Sequence, residues 1–357
     1  MITKAGAMFC IWPRQHVFLV FLLVLLFPAF SAKGAESSPA WRQLADLEAA
    51  TGGRLGVSAL DTATGRRIQY RAEERFPLCS TFKAVLVAAV LKQHGHDDAF
   101  MQKNIAYTAT DLVVWSPVTE RHVAEGMRVL DLCVAALQIS DNTAANLLLR
   151  EIGGPEKLTA FARSIGDTVF RLDRWEPDLN SAEPGDPRDT TSPAAMEETL
   201  GRLVLGNTLS QEQKERFADW LKGNTTGGES IRAGVPAGWI VGDKTGSGRY
   251  GTGNDIAVIW PPDGKPIVLA VYFTQAAKDA PARKDVLASA ARICIESLRE
   301  GLSLNNSFVQ IAASPGPFFS GRQFRYPAEL SLPPQKGPGS LLLEQNLLFG
   351  DSPEPIP

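Results

Sequence analysis

Residues Cys79–Lys83 read C-S-T-F-K, and the run that follows, Ala84–Gln93 (AVLVAAVLKQ), is made of helix formers with apolar residues at i, i+3 and i+4. That spacing predicts a helix with Ser80 in its first turn and Lys83 at a neighbouring position on the same face. A serine hydroxyl is a poor nucleophile until something takes its proton, and a nearby amine of lowered pKa can do so. The same residues also suit an N-capping serine followed by a solvated lysine. In a chain of 357 residues S-x-x-K arises by chance about once, so the pair alone decides nothing.

With 44% hydrophobic and 21% charged residues, the chain has an ordinary globular composition, enough for one large domain or two smaller ones. A net charge of −3 gives no basis for expecting nucleic acid or an anionic membrane surface as a partner. At the N-terminus, Lys4, Arg14 and His16 precede an apolar run, Val17–Phe30, that is short for a membrane span, and small residues follow it. This pattern predicts a signal peptide over residues 1–35, cleaved near Ala29-Phe30-Ser31 or Ala32-Lys33-Gly34, and hence a periplasmic or secreted protein. Cys10 precedes the apolar run, where no lipid attachment site could lie, so the mature form is expected without a membrane anchor. The other cysteines, Cys79, Cys133 and Cys294, are an odd set and no disulfide framework. From about Leu302 to Pro357 the chain is rich in proline, glycine and serine, which predicts a disordered tail.

Strand-like runs gather at both ends of the expected domain, residues 36–301. Arg54–Gly65 alternates and ends in turn residues, and Gly238–Gly246 is followed by Asp255–Gly264 and Pro266–Thr274, whose Pro-Asp-Gly junction predicts a hairpin. A closing helix over Ala282–Glu300 has the spacing to pack on that sheet. Between about Phe76 and Trp220, amphipathic segments are separated by Gly, Pro or Asn signals. One segment, Arg171–Thr191, is irregular and dense in Asp, Pro and Gly; so long a connection inside a compact domain is usually functional. The expected plan is a sheet part from residues 36–75 and 221–301 with a helical part, 76–220, inserted.

Two motifs lead elsewhere and fail on context. His94–Asp98 (HGHDD) resembles a zinc ligand run, but a catalytic zinc needs three protein ligands and only His122 follows as a further histidine. No metal or other cofactor is expected. Gly246–Gly251 (GSGRYG) fits G-x-G-x-x-G, yet the chain runs on into another strand where a dinucleotide site needs a helix.

Three further pieces complete the opening motif. Ser140-Asp141-Asn142 lies between two predicted helices, Lys244-Thr245-Gly246-Ser247 lies late in a predicted strand, and Glu176 and Asn180 lie in the long irregular segment. S-x-x-K, S-D-N and K-T-G in this order are the set of class A β-lactamases and penicillin-binding proteins. Over roughly Ser38 to Gly301 the chain resembles a class A serine β-lactamase. The resemblance implies an α/β plus all-α fold: an antiparallel sheet flanked by helices, an inserted helical domain, and the active site in the cleft between them.

The resemblance also implies roles. Ser80 is the nucleophile, and its backbone N–H and that of Ser247 form the oxyanion hole. Lys83, crowded by Lys244, is a proton acceptor, although either Lys83 or Glu176 could be the acylation base. Ser140 relays a proton to the lactam nitrogen, Asn142 holds the substrate's acylamide side chain, and Glu176 with Asn180 activates the deacylating water. Asp141 braces its loop, Arg174 and Asp189 pin the long segment, and Trp115 stands at the cleft rim. Lys244, Thr245 and Ser247 bind the substrate carboxylate. Many relatives add an arginine where this chain has Gly253, so Arg232, Arg283 or Lys284 is expected to replace it, with Lys284 best placed.

Cys79 resembles a half of the bridge found in carbapenem-hydrolysing members, but the partner position is Gly248; Cys133 likewise faces Val87 rather than a cysteine. No intramolecular disulfide is expected. The partners implied are small β-lactams acting on a monomer: penicillins and cephalosporins, and by the K-T-G-S-G segment oxyimino-cephalosporins. A DD-peptidase or an acylated sensor shares the first three motifs, but lacks the need for Glu176 and Asn180.

Overall fold

A computed structural model of the chain describes residues 38–262 and 264–313. The expected signal peptide, 1–35, and residues 314–357 of the expected tail lie outside the described residues. Five strands, β1 (Arg54–Asp61), β2 (Arg67–Tyr70), β3 (Ile240–Ser247), β4 (Gly253–Trp260) and β5 (Ile267–Thr274), form one antiparallel sheet in the order β2-β1-β5-β4-β3. Distant parts of the chain meet at its centre, where β1 pairs with β5 from Arg54 opposite Thr274 to Asp61 opposite Ile267. The hairpin expected from the sequence is β4–β5.

Strand β5 and the second half of β4 are apolar at almost every position because both faces of the sheet are covered. Ile256, Val258, Val268, Ala270 and Tyr272 join one core with the helices that follow β2. The alternate residues Ala257, Ile259, Leu269, Val271 and Phe273 join a second core with residues of the first and last helices. The period-2 geometry of a strand thus divides one sequence run between two cores.

The first helix, α1 (Pro39–Thr51), starts with proline after Ser38, whose side chain accepts from Trp41 N, and stops at Gly52 in the left-handed region. In α2 (Phe82–His94) every residue from Phe82 to Leu91 is buried. A helix apolar all round must be surrounded, and α2 packs against α5 (Asn142–Glu151), α6 (Pro155–Ser164), α7 (Pro193–Val204) and α8 (Gln211–Lys222). Short helices α3 (Asp98–Gln102) and α4 (Val129–Val134) lie between α2 and α5, and α9 (Ile231–Gly234) precedes β3. The α7 helix rests on β1, β4 and β5, fastening the helical part to one face of the sheet.

The last helix, α10, runs from Lys284 to Ala313, beyond residue 301 where the sequence reading ended the folded domain. Compactness divides the chain into Met1–Phe308 and Val309–Pro357, and only the final residues of α10 in the second unit are described. Among the described residues no helix is long and apolar enough to cross a membrane. The G-x-G-x-x-G match covers the last two residues of β3 and most of the turn into β4. His94 stacks on Phe100, His96 lies by Gln213, and among the described residues no His, Cys, Asp and Glu group could hold a metal ion.

Candidate active site

Ser80 lies in a 3₁₀ turn, Cys79–Thr81, that leads directly into α2. Its neighbour Cys79 is held at φ 43°, a left-handed conformation that ordinary residues avoid and that surrounding structure must enforce. The enforcement comes from β3 and β4. A β-carbon on Gly246 would come within 3.1 Å of both Ser80 N and Leu78 O, so a larger residue there would push the strand and the turn apart. From β4, Asn254 donates to Pro77 O at 2.8 Å and to Leu78 O at 3.2 Å. The end of β3 therefore runs alongside the turn, bringing the Ser247 and Ser80 segments together.

One helical turn on, Lys83 is wholly buried and its Nζ is saturated with acceptors: Asn142 Oδ1 at 2.6 Å, Ser140 O at 2.8 Å and Glu176 Oε1 at 3.0 Å. Burial presses the Lys83 pKa down, while Glu176 works in the opposite direction. Ser80 Oγ donates to the same Glu176 oxygen at 3.3 Å. The other oxygen, Oε2, accepts from Asn180 Nδ2 at 2.5 Å. One carboxylate thus touches serine, lysine and asparagine.

Ser140 follows a π-helical turn, Ala135–Ile139, and takes φ 62°. A π-bulge and a left-handed residue in succession re-aim the chain, and such features recur at functional sites. They place Ser140 Oγ 3.0 Å from Lys244 Nζ and 3.4 Å from Lys83 Nζ. Lys244 is completely buried on β3, and burial first, then the Lys83 charge, lowers its pKa to about 7. Asp141 accepts from Val118 N, Thr119 N and Thr119 Oγ1 and caps α5 at Ala144 N, tying two loops to one helix. Asn142 Nδ2 donates to Val114 O at 2.8 Å.

In the Arg171–Thr191 segment, Asp189 Oδ2 accepts from Arg174 Nε at 2.5 Å and Oδ1 from the Asp173 and Arg174 N–H groups. The Glu176–Pro177 peptide is cis. Thr245 Oγ1 lies 2.5 Å from Thr226 Oγ1. Trp115, also left-handed, is 61% exposed and donates its indole N–H to Ile139 O. Lys284, at the start of α10, is set apart from the buried cluster and pairs with Glu229 at 2.7 Å. Of the other two cations considered for the carboxylate, Arg232 is committed to Asp243 at 2.6 Å and Arg283 to Asp285 at 2.7 Å. A cavity of about 670 Å³ opens beside the cluster, lined by Val114, Asn142, Arg174, Pro177, Asn180 and Arg249 among others.

The model of the β-lactamase enzyme family matches residues 39–298, most of the chain. The chain belongs to the class A serine β-lactamases. It is 55% identical over 275 residues to the β-lactamase OXY-2 of Klebsiella oxytoca, covering 77% of this chain and 95% of that one. To the Toho-1 β-lactamase of Escherichia coli it is 52% identical over 280 residues, 78% of this chain and 96% of that one. Among solved structures, a β-lactamase from Desulfarculus baarsii DSM 2075 superposes with a TM-score of 0.71 at 53% identity, over 72% of this chain and 97% of that one. A reconstructed ancestral class A β-lactamase gives 0.70 at 59% identity, over 72% and 99%.

Residues of this β-lactamase that the motifs did not point to also contact the cluster. Asn146 receives the Glu176 N–H on Oδ1 at 3.0 Å and donates Nδ2 to Glu176 O at 2.9 Å, gripping the peptide on both sides. The signal was available, since Asn146 lies four residues after Asn142 on the same face of α5. Asn254 and Thr226 carried no such signal, because their partners are backbone carbonyls and a hydroxyl distant in sequence. Cys79, Cys133 and Cys294 are buried free thiols, and burial raises the pKa of each.

Proposed function

We propose that this β-lactamase opens the lactam ring through an acyl-enzyme on Ser80 and releases it with a water activated by Glu176. The observation that carries the reading is the division of one buried carboxylate, Oε1 toward Ser80 and Lys83, Oε2 toward Asn180. In acylation Ser80 Oγ adds to the lactam carbonyl carbon while its proton passes to the Glu176–Lys83 pair. The developing oxyanion is held by the N–H groups of Ser80 and Ser247, fixed donors that strengthen as charge develops. The C–N bond then breaks, and the nitrogen takes a proton from Ser140, which Lys244 and Lys83 can resupply.

In deacylation a water between Glu176 and Asn180 gives its proton to Glu176 and attacks the ester carbonyl. Ser80 Oγ leaves, regains the proton, and the product is the ring-opened acid. Lys244, Thr245 and Ser247 hold the substrate carboxylate, Asn142 the acylamide side chain, and Trp115 stacks at the rim. The substrates are penicillins and cephalosporins, and the cavity beside Arg174 and Arg249 leaves room for oxyimino side chains. Carbapenems are poor substrates, since Cys79 is a free thiol facing Gly248, where a β-carbon would lie 2.7 Å from Cys79 Sγ. The enzyme works as an exported monomer without a cofactor.

The test is Glu176→Ala mixed with benzylpenicillin and followed by intact mass and lactam absorbance. Persistent acyl mass on Ser80 after about one turnover is expected, against many turnovers for the wild type. A variant that turns over normally removes Glu176 from the mechanism.

A further inference from the structure

An exposed ion pair joins the start of α10 to the segment that precedes α9. Lys284 Nζ and Glu229 Oε2 lie 2.7 Å apart, with the lysine side chain 49% and the glutamate 77% exposed. The two residues come from segments that pack on neighbouring strands, the Glu229 segment on the K-T-G strand β3 and the Lys284 segment on β4 beside it. Glu229 follows the turn whose Asn224 binds Asp243 and whose Thr226 meets Thr245, so that turn is fastened to β3 next to Lys244. Lys284 opens α10, and Leu287, one turn later, lies 3.9 Å from where a β-carbon of Gly253 would stand. Gly253 pairs with Ser247 across the β3–β4 register.

Of the three cations expected to replace the missing arginine, each has a carboxylate partner. Arg232 is bound to fully buried Asp243 and also to the carbonyls of Leu221 and Lys222, a partnership that no solute can displace cheaply. Arg283 is engaged with Asp285, two residues away on the same turn. Only Lys284 is held by a partner from another segment that makes no other polar contact among those described and is mostly in water. Such an exposed pair is weak and exchangeable.

We propose that Glu229 is a specificity-determining residue, occupying Lys284 in the free enzyme and competing with the substrate carboxylate for it. This rests on the reading that Lys244, Thr245 and Ser247 receive that carboxylate. A bound anion draws Lys284 away from Glu229, and the exchange weakens binding of anionic β-lactams relative to a chain with no acid there. Glu229 acts only through Lys284 and touches no reacting atom, so it is a positioning residue whose effect belongs in KM and not in kcat.

The experiment compares wild type, Glu229→Gln, Lys284→Ala and the double variant, using benzylpenicillin and its methyl ester. Glu229→Gln is expected to lower KM for benzylpenicillin about two- to fivefold with kcat unchanged. The gain should vanish in the Lys284→Ala background and with the uncharged ester. An unchanged KM in Glu229→Gln, or the same gain without Lys284, overturns the proposal. Failure of the underlying reading looks different: Lys244→Ala would then leave the KM for benzylpenicillin where it was.

Discussion

Lys244 Nζ donates a 3.0 Å hydrogen bond to Ser140 Oγ, joining residues 104 positions apart in a pocket where Lys83 also reaches the same hydroxyl. Two ammonium groups around one alcohol repel each other and are cut off from water, and both effects favour a neutral amine. For Lys244 they bring the pKa to about 7. Its charge is present below that pH and lost above it. The KM for benzylpenicillin should therefore rise several-fold between about pH 6 and about pH 8.5 as the carboxylate loses its main cation. Lys244→Arg keeps its charge throughout and should flatten the rise. Steady-state KM measured across that range decides the matter, and a flat wild-type profile would remove Lys244 as the titrating group.

Glu197 lies on α7 with its side chain fully buried, accepting from Ser58 Oγ at 3.0 Å and Arg67 Nη1 at 2.8 Å, while Oε1 has no partner. Burial raises its pKa from 4.5 to about 7, with Arg67 opposing the rise. The folded state therefore holds this proton more tightly than the unfolded chain does. The resulting stability is fully present below about pH 4.5 and disappears as pH rises through about 7. Glu197→Gln keeps the shape and removes the titration. Thermal denaturation at pH 5 and pH 8 should show a larger loss of Tm for the wild type than for the variant. Equal losses would mean that Glu197 is ionised throughout.

The chemistry of this site was more legible in the sequence than its mechanics. S-x-x-K, S-D-N and K-T-G are motifs that a sequence displays directly, and their spacing fits one helix start, one interhelical turn and one strand. Pairing across the sheet was legible only in part: periodicity marks β4 and β5 as strands, but cannot say that β1 inserts beside β5. The left-handed backbones of Cys79 and Ser140 left no trace, since neither residue type announces a positive φ. Neither did the partner of Lys284, because Glu229 lies 55 residues away and only the fold brings them together.

Asp189 shows how the long segment is kept in order. It is itself left-handed and fully buried, and it receives two N–H groups and the Arg174 guanidinium. These bonds close the segment two residues before Glu176, so Glu176 inherits its position from them as well as from Asn146. Asp189→Asn keeps the tolerance for a left-handed backbone but loses the charge, and its amide presents a donor where Arg174 needs an acceptor. A small displacement of a water-activating carboxylate can cost about 100-fold in rate. Slower deacylation is expected, with kcat down by about ten- to 100-fold and acyl-enzyme visible by mass spectrometry during turnover. Circular dichroism at the assay temperature separates this from unfolding. A folded variant with unchanged kcat and no accumulated acyl-enzyme would mean that Asn146 and the packing around Glu176 are enough to hold it.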